Sequence, residues 1–273
     1  MRINTDSGVL QWAKGLVVRS VLLRGLALSV CLVCSIIPLT AKQNPKALQV
    51  IAAAVEALGG ERYLGVETLH SSGRYFFFRR GRKGFSRFWD WTAYQPVKSR
   101  FQMGEGDRQE VFIYNLEIGK GWKLEGEEEV EEISEERIQS WWKEVQKDLD
   151  ILLKKRLDEE GMSLFYYGQD DIAGQGEYEA VEFVDATNTA IVVFFDVKTH
   201  LPSKLETHFT NSAGVRQKQE VEWHNWHTIQ GVHTPLRTDT FVEGEIAQQL
   251  FVEEIVYNVD IPPGHFKKPQ LER

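Results

Sequence analysis

The sequence is poor in cysteine: 273 residues contain two, Cys31 and Cys34, and both fall in one apolar stretch near the N-terminus. The rest of the chain therefore has neither a disulfide framework nor a thiolate metal site, and thiol redox chemistry is excluded there. Catalytic signatures are missing as well. There is no Gly-x-Ser-x-Gly elbow, no phosphate-cradling glycine loop and no His-Glu-x-x-His helix. Asp170 and Asp171 are adjacent acids, but polar and glycine residues flank them, which is the setting of a turn. No catalysis and no cofactor are expected.

Positive charge is in deficit. Lys+Arg number 32 against 40 Asp+Glu, a formal charge of −8. Residues 1 to 41 hold Arg2, Lys14, Arg19 and Arg24 against the single acid Asp6, so the remainder is more acidic still. Nucleic acid and anionic lipid surfaces are poor partners for such a body.

Long apolar runs are absent apart from one, Leu26 to Ile37, which follows the basic residues and closes with Pro38-Leu39-Thr40-Ala41. A basic region, a short apolar core and a small residue are the parts of a secretory signal, with cleavage after Ala41. Residues 1 to 41 thus read as a signal peptide and 42 to 273 as one folded domain, placed in the periplasm. The competing reading is an uncleaved inner-membrane anchor, although Gly25 to Ala41 is short for a hydrocarbon core of roughly 30 Å.

What the chain has is strand signal. Residues 187 to 197 and 204 to 211 crowd β-branched and aromatic residues around the turn Thr199-His200-Leu201-Pro202, which predicts a hairpin. Val215 to His224 alternates, with Val221 and Trp223 on one face and Glu220, Glu222 and His224 on the other. Gly231 to Pro235 and Glu243-Gly244-Glu245 then turn the chain into two further strands. An earlier group runs over 69 to 78, 85 to 91, 97 to 103 and 110 to 115, with 117 to 124 as a tight turn and a short strand, and Leu164 to Gly168 adds a short piece.

Two helices interrupt this pattern. Asn44-Pro45 opens the first in cap-then-proline order, with Ala47, Leu48, Ile51, Ala54, Val55 and Leu58 at helical spacing until Gly59-Gly60. The second spans 134 to 157, with Ser134 as N-cap and Ile138, Trp141, Trp142, Val145, Leu149, Leu152 and Leu153 on one face. The run Glu125 to Glu136 before it reads as a solvated acidic loop. The prediction is an α+β fold: about ten strands in a highly curved antiparallel sheet, an incomplete β-barrel, covered by these helices.

The chain resembles the LolA-like family of periplasmic lipoprotein carriers and lipoprotein-sorting proteins. The likeness spans residues 45 to 269 and is carried by Leu58-Gly59-Gly60, Pro96-Val97-Lys98-Ser99-Arg100, Gly119-Lys120-Gly121-Trp122 and Asp196 to Pro202. It continues in Gly231 to Pro235 and in Val256 to Asp260 with Phe266. The resemblance implies a half β-barrel with an apolar cavity that holds acyl chains of lipids or lipoproteins, with envelope proteins and transient membrane contact as further partners. The chain departs from the family in its acidic segment and its many tryptophans. An alternative within the same fold is a non-transport envelope or stress-sensing protein that meets a protein partner through a sheet edge or the acidic segment.

The residues expected to line such a pocket are Trp89, Trp91, Phe101, Trp122, Trp141, Trp142, Val145 and Leu149, which equally suit a filled core. No metal site is expected. His224, His227 and His233 lie near Glu220 and Glu222, but strand residues three apart point to opposite faces. Arg79, Arg80, Arg82 and Lys83 form a charged hairpin tip, a device that keeps exposed strands soluble.

Overall fold

The computed structural model describes residues 42–79, 82–126, 129–172, 176–211 and 213–270. The expected export segment, 1 to 41, lies outside the described residues, as do the side chains of Arg79, Arg80, Arg82, Asp170 and Asp171.

Helix α1, Pro45–Leu58, begins where the Asn44 side chain accepts hydrogen bonds from the Lys46 and Ala47 amides. It ends at Gly59, whose φ of 131° is available only to glycine, and a Cβ there would meet the Gly231 carbonyl oxygen at 2.5 Å. Ala47, Val50, Ile51, Ala54 and Leu58 form its buried face. One more turn, α2 (Glu61–Leu64), buries Tyr63.

Among the described residues thirteen strands follow: β1 Thr68–Arg79, β2 Arg82–Tyr94, β3 Val97–Met103, β4 Glu110–Asn115, β5 Lys120–Glu125, β6 Glu129–Glu132, β7 Ser163–Ile172, β8 Gly176–Val184, β9 Ala190–Asp196, β10 Pro202–Thr210, β11 Arg216–Ile229, β12 Val232–Val242 and β13 Glu245–Tyr257. They form one antiparallel sheet in the order β6-β5-β4-β3-β2-β1-β13-β12-β11-β10-β9-β8-β7. The chain starts in the middle of the sheet, winds out to the β6 edge, and resumes at the opposite edge, β7. Its last strand pairs with its first, Leu69 opposite Tyr257.

That order explains the helical segment. To pass from β6 to β7 the chain must cross the sheet, and it does so through α3 (Glu135–Val145), α4 (Leu149–Ile151) and a π-helical turn, Leu152–Arg156. The expected single helix over 134 to 157 is thus broken. Asp148 is extended, with φ −63° and ψ 139°. Arg156, only 6 % exposed at its side chain, reaches back to hold the break, donating to the Gln146 carbonyl at 2.9 Å and to Asp185 Oδ2 at 3.0 Å.

The curved antiparallel sheet is as expected, with more strands than about ten. β6 lies within the predicted acidic loop, where Lys120 and Lys123 on β5 supply cations beside Glu132 and Glu131. β8 was hidden by its glutamates, yet Tyr178, Ala180, Val181 and Phe183 are buried between them. The main core lies between the sheet and α1, α4 and the π turn, and includes Leu152, Leu164, Val181, Phe183, Ile191 and Val193. On the other face of the sheet, Val111, Ile113, Trp122 and Leu124 are covered by Phe266 and Ile261 from the C-terminal segment.

Candidate functional site

Cross-strand pairing determines which side chains face the helices. One row runs Ser71, Asp90, Phe101, Phe112 and the next Leu69, Thr92, Ser99, Tyr114; both point to the helical side. Between this inner face and the helical segment lies a cavity of ≈ 700 Å³. Its apolar wall includes Phe88, Phe101, Leu205, Trp223, Trp226 and Leu250 from the sheet, with Trp141, Val145 and Leu149 from the helices. Cavities of this size hold small-molecule or acyl-sized ligands.

Of the eight residues expected at a pocket, Phe101, Trp141, Val145 and Leu149 stand on the cavity wall. Trp141 also stacks on Tyr114 of β4, with ring centroids 4.2 Å apart. Trp89, Trp91 and Trp122 are on the outer face. Trp91 and Trp122 belong to the row His70, Trp91, Arg100, Ile113, Trp122, opposite in phase to Asp90 and Phe101. Trp91 stacks on His70 at 4.5 Å and meets His265 edge-on at 4.6 Å, while Arg87 lies 5.5 Å over the Trp89 ring. Trp142, next to Trp141 on α3, is half-buried outside the cavity wall. The sequence could not separate these positions, because β2 is aromatic on both faces.

Trp223 and Trp226 are cavity residues that the expected set omits. Trp223 was visible as the apolar end of the β11 alternation. Trp226 was not, because a residue three positions on belongs to the opposite face of a regular strand. Asn225, with φ 57°, interrupts the alternation between them.

The cavity is not wholly apolar. Asp90, Glu144, Asp148 and Asp150 line it, along with Lys147, Lys154 and several hydroxyls. Asp150 is the best satisfied: Tyr63 donates to its Oδ1 at 2.8 Å, Tyr94 donates to its Oδ2 at 2.7 Å, and Lys154 Nζ lies 3.6 Å away. The same ammonium sits 4.4 Å over both tyrosine rings. Burial and then the Asp150 charge push both phenols well above their ordinary pKa, so they remain hydrogen-bond donors. Burial lowers the Lys154 ammonium, with Asp150 opposing that shift.

Among the described residues Asp90 has one weak donor, Thr92 Oγ1 at 3.3 Å, and desolvation pushes its pKa up to about 7. Asp148 is likewise pushed up to about 7, first by desolvation and then by the charges of Asp150, Asp90 and Glu144. Asp148 is an exposed residue at the break between α3 and α4 that also lines the cavity.

The histidines go to separate partners. His224 Nε2 lies 3.5 Å from Glu222 and 3.6 Å from Asp239, His227 meets Asn225 at 3.1 Å, and His233 meets Thr228 at 3.1 Å. Among the described residues no group of three or more His, Cys, Asp or Glu side chains is placed to hold a metal ion. Nor, among them, is any helix long and apolar enough to cross a membrane.

The sequence matches no family model and no curated protein. Solved structures do match. A DUF1329 family protein from Desulfovibrio piger superposes with a TM-score of 0.54 at 13% identity, covering 81% of this chain and 97% of that one. A putative outer membrane lipoprotein-sorting protein domain from Vibrio parahaemolyticus gives 0.52 at 10% identity, and a LolA superfamily protein from Nitrosomonas europaea gives 0.51 at 12%, each with coverage of 81% and 97%. At such identities the likeness concerns the fold, and the fold is LolA-like.

Proposed function

We propose that this protein is an exported, non-catalytic carrier that holds an acyl chain of a lipid or lipoprotein in the cavity between its sheet and its helical segment. The observation that carries the reading is the cavity itself: ≈ 700 Å³, walled by Phe88, Phe101, Trp141, Trp223, Trp226 and Leu250. Burying an acyl chain there contributes about 0.8 kcal/mol per CH₂, so binding needs few polar contacts. Fold likeness to a lipoprotein-sorting domain supports the same reading.

Entry requires part of the cover to move, and α3 is the part held least. Ile138 is its one buried residue, whereas Ile151, Leu152, Leu153 and Arg156 beyond the break are all buried. Displacing α3 about residues 146 to 148 opens the cavity along Trp141 and Val145. The remainder of the cover stays clasped through Asp150.

A protein-docking role through a sheet edge has less to use. β6 is four residues long and acidic, and the start of β7 is already bridged by the chain at Gln43. Native mass spectrometry of protein taken directly from the cell envelope tests the carrier reading. Acyl-bearing adducts that leave on delipidation are expected; protein that is consistently empty overturns it.

A further inference from the structure

Charge pairing around the cavity is incomplete in one direction. Glu144 is matched by Lys147 at 2.8 Å, and Asp150 by Lys154 and the two phenols. This uses both lysines that line the cavity. Among the described residues Asp90 is left with Thr92 alone. Asp148, at the break between α3 and α4, caps no helix amide and has no hydrogen-bond or cationic partner among the described residues. His233, the remaining titratable group on the wall that carries a nitrogen, is engaged with Thr228. The charges of Asp150, Asp90 and Glu144 raise the cost of ionising Asp148, and a carboxylate facing the cavity without a cation is unfavourable.

We propose that the bound amphiphile carries a cationic amine, seated between Asp90 on β2 and Asp148 on the helical segment, with its hydrocarbon along the aromatic wall. This rests on the cavity being the ligand site. An ammonium there supplies the missing counter-charge to both carboxylates. Trp141, Trp223, Trp226 and Phe101 stand on the same wall, and aromatic rings attract cations through their π faces. A carboxylate or phosphate end is repelled from the same place, so an anionic head group must lie at the cavity mouth or outside it. No third His, Cys, Asp or Glu is placed to complete a metal site with the pair among the described residues, which leaves an organic cation as the match.

Binding of three probes with one chain length, dodecylamine, dodecanol and dodecanoic acid, to the delipidated full-length protein decides the matter. At about pH 8 both carboxylates are mostly ionised and the amine is protonated. The amine is expected to bind at least ~10-fold more tightly than the alcohol, and the acid most weakly. In Asp90→Asn/Asp148→Asn the ratio of amine to alcohol affinity, both measured on the same variant, should fall to within about threefold, with each single variant losing part of it. Circular dichroism establishes that the variants are folded. Equal affinity for amine and alcohol in the parent protein, or an amine preference that survives in the double variant, overturns the proposal and leaves the acyl-carrier reading intact. No binding of any probe overturns the carrier reading, and this proposal with it.

Discussion

Tyr94 donates a 2.7 Å hydrogen bond to Asp150 Oδ2, tying the end of β2 to α4 at the cavity wall. Tyr63 of α2 holds the other carboxylate oxygen at 2.8 Å, so one aspartate joins three elements far apart in sequence. The pair defines which part of the cover is fixed.

Breaking the clasp should cost stability in a graded way. Tyr94→Phe removes one hydrogen bond to a charged acceptor and should lower unfolding free energy by ~1.5–3 kcal/mol. Asp150→Ala leaves the Lys154 ammonium, with a side chain only 3 % exposed, without its counter-charge and should cost more, ~3–5 kcal/mol. Urea titrations of the two variants against the parent measure both; equal losses would contradict the account.

Backbone amides should exchange unevenly across the helical segment. Residues 135 to 145 rest on one buried side chain, whereas 149 to 156 carry Ile151, Leu152, Leu153 and Arg156 into the core. Hydrogen exchange followed by mass spectrometry should therefore show α3 exchanging faster than the segment beyond Asp148. Uniform protection across 135 to 156 would rule out the break as a hinge.

Stability should fall as pH rises from about 5 to 8. Asp90 and Asp148 have folded pKa values of about 7 against an ordinary 3.8. The folded state therefore holds more protons than the unfolded chain between these values. The resulting stabilisation is complete at low pH and is lost as pH rises through about 7. Asp185 and Asp196 act in the acid range, where hydrogen bonds lower both against the upward push of burial. His265, lowered by burial to about 4, contributes stability that grows up to its ordinary 6.5 and partly offsets the fall that Asp90 and Asp148 cause. Urea midpoints at the two pH values read the slope, and Asp90→Asn/Asp148→Asn should flatten it.

Trp122 and Trp223 should respond differently to truncation. Trp122, 7 % exposed beneath Phe266, is core on the outer face, and Trp122→Ala should cost ~3–5 kcal/mol while the remaining folded protein keeps its acyl affinity. Trp223→Ala enlarges the cavity wall instead and should weaken acyl binding by about tenfold at a smaller cost in stability. Paired melting and dodecanol-binding measurements separate the two roles.

Local chemistry determined much of this protein from the sequence alone. Asn44-Pro45 and Gly59 bound α1 as their backbone preferences require, and β-branched runs between turn residues marked most of the strands. The spacing of Ile138, Trp141 and Val145 marked an amphipathic cover. β8 escaped notice because its glutamates masked the alternation, and the helix break because Asp148 lies in a run of otherwise helical spacing. Only the tertiary structure decided which face of β2 looks inward. Trp89 and Trp91 alternate with Phe88 and Asp90, both phases are aromatic, and the choice depends on registry with β1 and β3 and on the C-terminal cover. Tertiary structure also brought Asp90 and Asp148 to one cavity. They belong to elements that meet only because the chain must cross its own sheet to start its second edge, and no local pattern encodes that meeting.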